Sequence, residues 1–345
     1  MSSLPLPVRA TASAQHRLYP DVLAAVRAAG LMNRRLGPYV VLFAANLVGL
    51  LVVVGAMVVW RDSWWLLLAA AVLAVVSVQI GFLGHDIAHR QVSRRARTAN
   101  LLGLLHANLL SGLSYAWWLD KHNAHHANPN DLDTDPDVHA GVLIFDASQA
   151  VGRRGLLASV TRHQAWLFFP LLTLEAGNLY LAGLRGLARP GFRHRRSELV
   201  LIAVHTAAYV WLVVATTTWV QGLVFVAVHQ GLRGLYLGVS FAPNHKGMPV
   251  LSKADEADPF LRQVLTSRNI RGGPVVDWAL GGLNYQIEHH LFPSMPRANL
   301  PRAQQIVRSF CDRHDVPYVE KAAASSYVDV VRHLHEVGAP LRLRT

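Results

Sequence analysis

Histidine is concentrated in three short clusters of this 345-residue chain. The clusters take up seven of the 18 histidines: His85 and His89; His122, His125 and His126; and His289 and His290. On a helix, residues three or four positions apart lie on one face, so each of the first two clusters can direct its imidazoles at one point. Imidazole is a common ligand of iron, zinc, copper and nickel. The pattern predicts a metal site assembled from distant parts of the chain.

The number of clustered imidazoles indicates more than one metal ion. A structural zinc ion takes four ligands in a closed tetrahedron. Seven histidines exceed that number, and they suffice for two ions that keep open positions. By contrast, His106, His205 and His229 stand alone inside apolar segments. We expect each of these three to be a hydrogen-bonded core residue, since buried polar groups are normally paired.

Two apolar segments precede the first cluster. Tyr39–Trp60 and Ser63–Gly84 contain no charged residue, and only Arg61 and Asp62 separate them. Each reaches the roughly 20 residues that cross a bilayer as a helix. The whole chain is 52% hydrophobic and 16% charged, whereas soluble domains are about 25% charged. We therefore predict a transmembrane hairpin whose second helix leads directly to His85.

Three more apolar segments lie between the second and third clusters: Trp166–Leu184, Leu199–Thr218 and Leu223–Val239. A shared metal site needs an even number of crossings between the clusters. Residues 185–196 are rich in arginine, which favours the cytoplasmic side. Trp166–Leu184 also carries Glu175, which is costly in free lipid. We predict that this segment lies along the membrane interface and that the other two cross.

These assignments predict an all-α membrane protein with four transmembrane helices, interfacial helices at Asn100–Trp118 and Trp166–Leu184, and a cytoplasmic histidine-rich cap. Residues 1–38 form a cytoplasmic N-terminal segment, residues 39–302 the membrane domain, and residues 303–345 a cytoplasmic helical tail. Both termini are then cytoplasmic, and a bacterial cytoplasmic membrane is the expected location. The net charge of +12 falls on the predicted cytoplasmic side. Anionic lipid accounts for it, so no nucleic-acid partner is predicted.

The order HxxxH, HxxHH, QxxHH resembles the integral-membrane fatty acid desaturases, from about Leu67 to Arg302. Gln286 stands where most of these proteins have histidine, which resembles the front-end desaturases and a group of bacterial acyl-CoA desaturases. The resemblance implies a di-iron cap, molecular oxygen as co-substrate, and insertion of a cis double bond into a long-chain acyl-CoA or acyl-lipid. The membrane lipid then surrounds both enzyme and substrate.

The resemblance also implies ligands beyond the seven clustered histidines. His245 follows the last apolar segment at the place where related acyl-CoA desaturases have a further histidine ligand. Asn244 and Gln286 are additional candidates, each through a side-chain oxygen. The implied metal ligands are His85, His89, His122, His125, His126, His245, His289, His290, Gln286 and Asn244.

Electrons are expected from a separate ferredoxin or flavoprotein reductase. The sequence has no G-x-G-x-x-G fingerprint, and its single cysteine, Cys311, excludes a cysteine-held iron–sulfur cluster. It also has no His-Pro-Gly-Gly segment of the kind found in haem domains fused to many front-end desaturases.

Two other functions compete with desaturation. Membrane hydroxylases and ketolases use similar histidine-rich sites, so hydroxylation or ketone formation on an acyl or other lipid is the alternative. A metal transporter would need polar residues along several spans. Tyr39–Trp60 offers only Asn46, and the Gln-Ile-Glu-His-His cluster is closer to desaturases.

Overall fold

The computed structural model describes residues 18–189, 191–192, 194–251 and 258–343. The predicted all-α class is confirmed, because helices make up most of these residues. In chain order the α-helices are α1 (Leu18–Ala28), α2 (Leu36–Val59), α3 (Leu66–Ala88), α4 (Ala96–Gly103), α5 (Tyr115–Ala127), α6 (Gly155–Leu172), α7 (Glu175–Ala188), α8 (Arg195–Thr216), α9 (Trp219–His245), α10 (Pro259–Leu265), α11 (Pro274–Ala279), α12 (Gln286–Leu291), α13 (Leu300–Arg313), α14 (Ala323–Val337) and α15 (Ala339–Arg342). Strands β1 (Asn269–Arg271) and β2 (Glu320–Ala322) pair in parallel.

Four helices are long and apolar enough to cross a membrane: α2, α3, α8 and α9. They correspond to the four predicted spans. The largest difference is at the end of α9, which continues past Val239 as far as His245. Asn244 and His245 are buried by protein there. Apolar composition therefore marks the part of α9 that suits lipid, and the helix itself runs on into the polar site.

The four candidate spans differ in how much of their surface the protein covers. In the apolar windows of α3 and α9, 56% and 33% of residues are buried, against 11% in α2 and 17% in α8. One apolar cluster joins the helices, with Met57 of α2, Leu66 of α3, Val213 of α8 and Phe225 of α9 all buried. This places α3 and α9 towards the inside and leaves most of α2 and α8 for lipid, as expected for helices at the rim of a bundle.

The segment predicted as one interfacial helix, Trp166–Leu184, is two helices. Helices α6 and α7 meet at Thr173 with a bend of 86°. The turn tightens before the break, because Thr173 N donates to Pro170 O and Leu174 N to Leu171 O. Such bonds between residues three apart are typical of a helix that is ending.

Helix α7 and the end of α6 lie close against α9. Gly234 of α9 permits this contact, since a Cβ on it would come within 2.6 Å of the Leu172 carbonyl oxygen. The bent pair therefore packs on the helix that ends at His245.

The second predicted interfacial helix, Asn100–Trp118, is also interrupted. Helix α4 leads into a π-helical stretch, Leu104–Leu110, which ends before α5 begins. At the break the Ser111 carbonyl accepts from Arg233 of α9, at 2.7 Å. Irregular backbone is stable near a membrane only where protein satisfies its polar groups, and Arg233 does so here.

Both terminal segments pack against the part of the chain that carries the histidine clusters. Val22 of α1, Phe260 of α10 and Val307 of α13 belong to one buried apolar cluster with Ile287 of α12. Helix α14 packs against α6, where Leu334 and its neighbours meet buried apolar side chains. The boundaries at residues 38 and 302 remain predictions.

Candidate metal centre

The eight histidines proposed as ligands come together at the ends of four helices. His85 lies in the last turn of α3 and His89 caps it, α5 carries the second cluster, α9 ends at His245, and α12 carries the third cluster. They separate into two groups, and in each group the candidate ligand atoms lie within 4.8 Å of one another. The first group is His85, His89, His122, His126 and His289; the second is His125, His245 and His290.

The first group has the spacing of ligands around one ion. The Nε2 atom of His122 lies 2.8 Å from that of His89 and 3.1 Å from that of His126. His126 Nε2 lies 3.2 Å from His289 Nε2. Two nitrogens at right angles, each ~2.1 Å from a metal, are about 3.0 Å apart. The lone pairs of these rings therefore converge as a metal requires.

The rings of the second group are oriented by contacts at Nδ1. Each Nδ1 faces an oxygen acceptor: His125 faces Asp135 Oδ2 at 2.9 Å, His245 faces Thr266 O at 3.0 Å, and His290 faces Gln263 Oε1 at 2.8 Å. An acceptor at Nδ1 holds the proton there and leaves Nε2 unprotonated, as a metal ligand must be. These contacts therefore fix both the tautomer and the direction of each ring.

Two buried nitrogens support metal binding directly. His85 Nε2 and His290 Nε2 have no hydrogen-bond partner among the described residues. Buried polar atoms are rarely left unpaired, and a metal ion would satisfy both. The two groups also touch, since the rings of His126 and His290 stack with centroids 4.2 Å apart. The residues therefore fit two adjacent ions held mainly by imidazole.

Burial keeps four of the five histidines of the first group in the form that binds metal. Loss of hydration lowers the pKa of His122, His126 and His289 well below the usual value of 6.5, and neighbouring imidazoles lower each pKa further. Burial and His85 lower the pKa of His89 in the same way. Neutral imidazole is the ligand form, so the rings are ready for metal at neutral pH.

Gln286 and Asn244 are hydrogen-bonded to each other. The Asn244 amide nitrogen donates to the carbonyls of Ser240 and Leu283 and to Gln286 Oε1 at 3.0 Å. Gln286 then turns its amide nitrogen towards His245 Nε2, 2.8 Å away. In this arrangement the Gln286 oxygen faces Asn244, whereas Asn244 Oδ1 is buried with no partner in the described part of the chain. Asn244 is thus the better placed of the two to offer an oxygen.

Acidic residues lie beside the histidines, and Asp135 and Asp137 form a further candidate metal group with His125. Asp86 accepts from Arg297 Nε at 2.8 Å, and its other oxygen is 3.4 Å from His85 Nδ1. Asp137 pairs with Lys121, and the neighbouring cations lower the pKa of its carboxyl despite the opposing effect of burial.

Glu288 precedes His289, but its carboxylate is hydrogen-bonded outside the two histidine groups. Its carboxylate accepts from Asn269 Nδ2 at 2.7 Å and from the Tyr318 hydroxyl at 2.8 Å. Burial raises the pKa of Glu288 to about 7.

Several residues that hold the centre were not predicted. Gln263 of α10 donates to the His126 carbonyl at 2.9 Å and accepts from His290. Asn130 donates to the His245 carbonyl at 3.1 Å. Neither stands in a histidine cluster, so only the fold reveals what they contact.

The three isolated histidines are hydrogen-bonded, as predicted; His106 and His229 are buried, whereas His205 is half-buried. His106 Nδ1 lies 2.9 Å from the Leu102 carbonyl, and His205 Nδ1 lies 2.8 Å from that of Leu109. His229 Nδ1 lies 2.8 Å from the Tyr209 hydroxyl.

Fold and site define a helical membrane protein whose spans carry a polyhistidine centre at their ends. The family model described as fatty acid desaturase matches residues 62–322, and the chain belongs to the fatty acid desaturase family. It is 32% identical to an acyl-lipid (9-3)-desaturase of Borago officinalis, over 80% of this chain and 63% of the relative. Identity to an acyl-lipid (9-3)-desaturase of Physcomitrium patens is also 32%, over 86% of this chain and 57% of the relative. A Delta(8)-fatty-acid desaturase of Arabidopsis thaliana is 29% identical, over 88% and 70%. The chain thus spans about three fifths of the length of the first two.

Proposed function

We propose that this protein is an oxygen-dependent desaturase that introduces a cis double bond into a long-chain acyl group carried by coenzyme A or by a lipid. The observation that carries the proposal is the convergence of eight histidines into two adjacent groups, in a chain of the desaturase family. Acid–base groups cannot remove hydrogens from unactivated methylenes, so the chemistry calls for a redox metal centre.

Two iron ions are the proposed cofactor. His85, His89, His122, His126 and His289 hold one; His125, His245 and His290 hold the other, with Asn244 and Gln286 beside it. When bound, the irons supply the activation of molecular oxygen. The protein holds each ring in place and keeps the site dry. Asp135, Thr266 and Gln263 fix the rings of the second group.

The acyl chain is proposed to lie against aromatic side chains beside the histidines. Trp118 stacks on His122 with centroids 4.3 Å apart and forms a T-shaped pair with His85 with centroids 5.8 Å apart. On the membrane side, Phe82 of α3 packs against Tyr236 of α9. Phe82 lies one helical turn before His85 along α3, so these rings offer an apolar wall next to the proposed irons.

We place the enzyme in a bacterial cytoplasmic membrane with the metal centre and both termini on the cytoplasmic side. Electrons come from a separate ferredoxin or flavoprotein reductase. The arginine-rich surface on that side suits an acidic donor, because charge complementarity speeds encounter.

Expression in a host that lacks the product tests the proposal. Lipid profiling with double bonds located by mass spectrometry should show one new unsaturated acyl species, and purified protein should contain close to two irons per chain. Separate analysis of the acyl-CoA and lipid pools then identifies the carrier. Hydroxylated or oxidised acyl products without a new double bond would instead support a hydroxylase or ketolase, and zinc as the sole metal of active protein would exclude the di-iron proposal.

A further inference from the structure

Arg268, between α10 and β1, is a fully buried arginine outside the histidine clusters. Its side chain is 1% exposed. The guanidinium donates to the carbonyl oxygens of Pro243 and Lys246, and the Arg268 backbone N–H donates to Asn244 O at 2.9 Å. One residue therefore binds three carbonyl groups on either side of His245.

The end of α9 needs such a partner. The last four carbonyls of a helix have no intrahelical donor, and a cation is favoured at this end of the helix dipole. The carbonyl of His245 is satisfied independently, by Asn130 Nδ2 at 3.1 Å and Met248 N at 3.0 Å. With Arg268 in place, the turn that carries His245 is bonded on every side.

A second residue, Asp329 of α14, holds Arg268 in this position. Arg268 Nη1 lies 2.8 Å from Asp329 Oδ2. A buried charge is costly unless it is paired, so this carboxylate stabilises the buried guanidinium. Helix α14 is itself anchored, since Val330 and Leu334 are fully buried in a cluster with Phe168 of α6. A continuous set of contacts thus joins α14 to the end of α9.

We infer that Arg268 and Asp329 are positioning residues for the second metal group, and that they act by fixing His245. This inference rests on the proposed di-iron function. The first group has no histidine from α9, so loss of the Arg268–Asp329 pair should weaken one metal position and spare the other.

The test compares Arg268→Gln, Arg268→Lys and Asp329→Asn with a matched control, Arg332→Gln. Arg332 lies on α14 and approaches the other oxygen of Asp329 at 3.6 Å, but its side chain is 65% exposed. Iron content and Mössbauer spectra of folded, ⁵⁷Fe-enriched protein give the readout. We expect two irons per chain in the wild type and in Arg332→Gln.

In Arg268→Gln and Asp329→Asn the iron content should fall towards one, with the signal of one site lost. The iron content of Arg268→Lys should lie between these two levels. An ammonium keeps the charge but lacks the planar guanidinium that bonds Pro243, Lys246 and Asp329 together. Retention of both irons in folded Arg268→Gln and Asp329→Asn, or equal loss of both signals, would overturn the inference.

Hydrogen exchange on metal-free protein separates this inference from the proposed function. Arg268→Gln, or the milder Asp329→Asn if the first does not fold, should raise exchange in residues 242–248 by ~10-fold or more, because local opening becomes easier. Hydrogen exchange in residues 122–126 should be unchanged. Unaltered exchange at 242–248 overturns the inference. If the variants show the expected increase in exchange but the wild type binds no iron, only the di-iron proposal is contradicted.

Discussion

The histidines of the second group differ in the acceptor that faces Nδ1, the ring nitrogen that would not bind the proposed metal. His125 faces the buried carboxylate of Asp135, while His245 faces a backbone carbonyl and His290 an amide oxygen. A carboxylate makes its histidine more electron-rich than a neutral acceptor does. The three imidazoles of the second group are therefore unequal, and His125 is expected to be the strongest electron donor to a bound metal.

Loss of His126 should abolish activity and leave membrane insertion intact. His126 Nε2 lies within 3.2 Å of the Nε2 atoms of both His122 and His289, so His126→Ala removes a central member of the first group. The matched control is His163→Ala, an exposed position on α6, which should retain near-wild-type activity. Product yield and membrane fractionation give the two readouts. Substantial activity in His126→Ala would contradict the proposed centre.

At position 286, histidine should support more activity than alanine. Gln286 fills a buried position 2.8 Å from His245 Nε2, and Gln286→Ala leaves both His245 and Asn244 without this contact. Imidazole in Gln286→His offers a nitrogen at the same place, although the ring needs more room than the amide. Product yield per folded protein measures the difference. Near-wild-type activity in both variants would show that the Gln286 amide has no role in the centre.

The seven clustered histidines could be predicted from the sequence because their spacing alone brings imidazoles together. His245 could be predicted only from the resemblance to desaturases. Arg268, Gln263 and Thr266 could not be predicted, since each acts through contacts to residues distant along the chain. The orientation of Gln286 also depends on the fold, because Asn244 determines which way its amide turns.

Among the elements, the interruption between the π-helical stretch and α5 is held by a buried acid. Glu198 of α8 is 1% exposed and accepts from Asn108 Nδ2 at 3.0 Å, Ser114 Oγ at 2.8 Å and Ala116 N at 2.9 Å. A carboxylate at a helix N-terminus is favoured by the helix dipole. Because α5 carries three of the histidines, Glu198 fixes the start of the helix that supplies histidines to both groups.

Glu198→Ala should destabilise the protein by about 2–4 kcal/mol, because it leaves three donors, two of them on buried side chains, without their acceptor. Glu198→Gln should lose less stability, since one amide oxygen remains as an acceptor. The thermal midpoint in detergent measures both, with Ser197→Ala as the neighbouring exposed control. An unchanged midpoint in Glu198→Ala would show that water replaces the carboxylate at no cost.

The four long helices could be predicted because lipid requires about 20 apolar residues in a row. The breaks at Thr173 and Ser111 could not, because they depend on partners elsewhere: α9 packs against α7, and Arg233 and Glu198 satisfy the backbone around Ser111. Hydropathy reports what surrounds a segment, and it carries no information on such pairings.

For the molecule as a whole, convergence of the clusters constrains the topology. His126 and His289 are 3.2 Å apart at Nε2, so the chain between them returns to the side from which it started. Helices α8 and α9 are both long and apolar enough to cross a membrane, and two crossings meet this requirement. The bent pair α6–α7 must then begin and end on one side, which agrees with its 86° bend. We propose that this side is the cytoplasm, because arginines around residues 185–196 favour it.

A single cysteine at position 197 tests this arrangement. Ser197 is exposed at the start of α8, and Cys311, which is buried, is removed by Cys311→Ser to give a clean background. In Ser197→Cys, an impermeant thiol reagent should label inverted vesicles and leave intact cells unlabelled, because the proposed topology puts α8 residue 197 on the cytoplasmic face. A cysteine in place of Thr218, between α8 and α9, is the matched control and should show the opposite pattern. Labelling of Ser197→Cys in intact cells would mean that α6–α7 crosses the membrane. The third cluster could then meet the first two only if either α8 or α9 does not cross it.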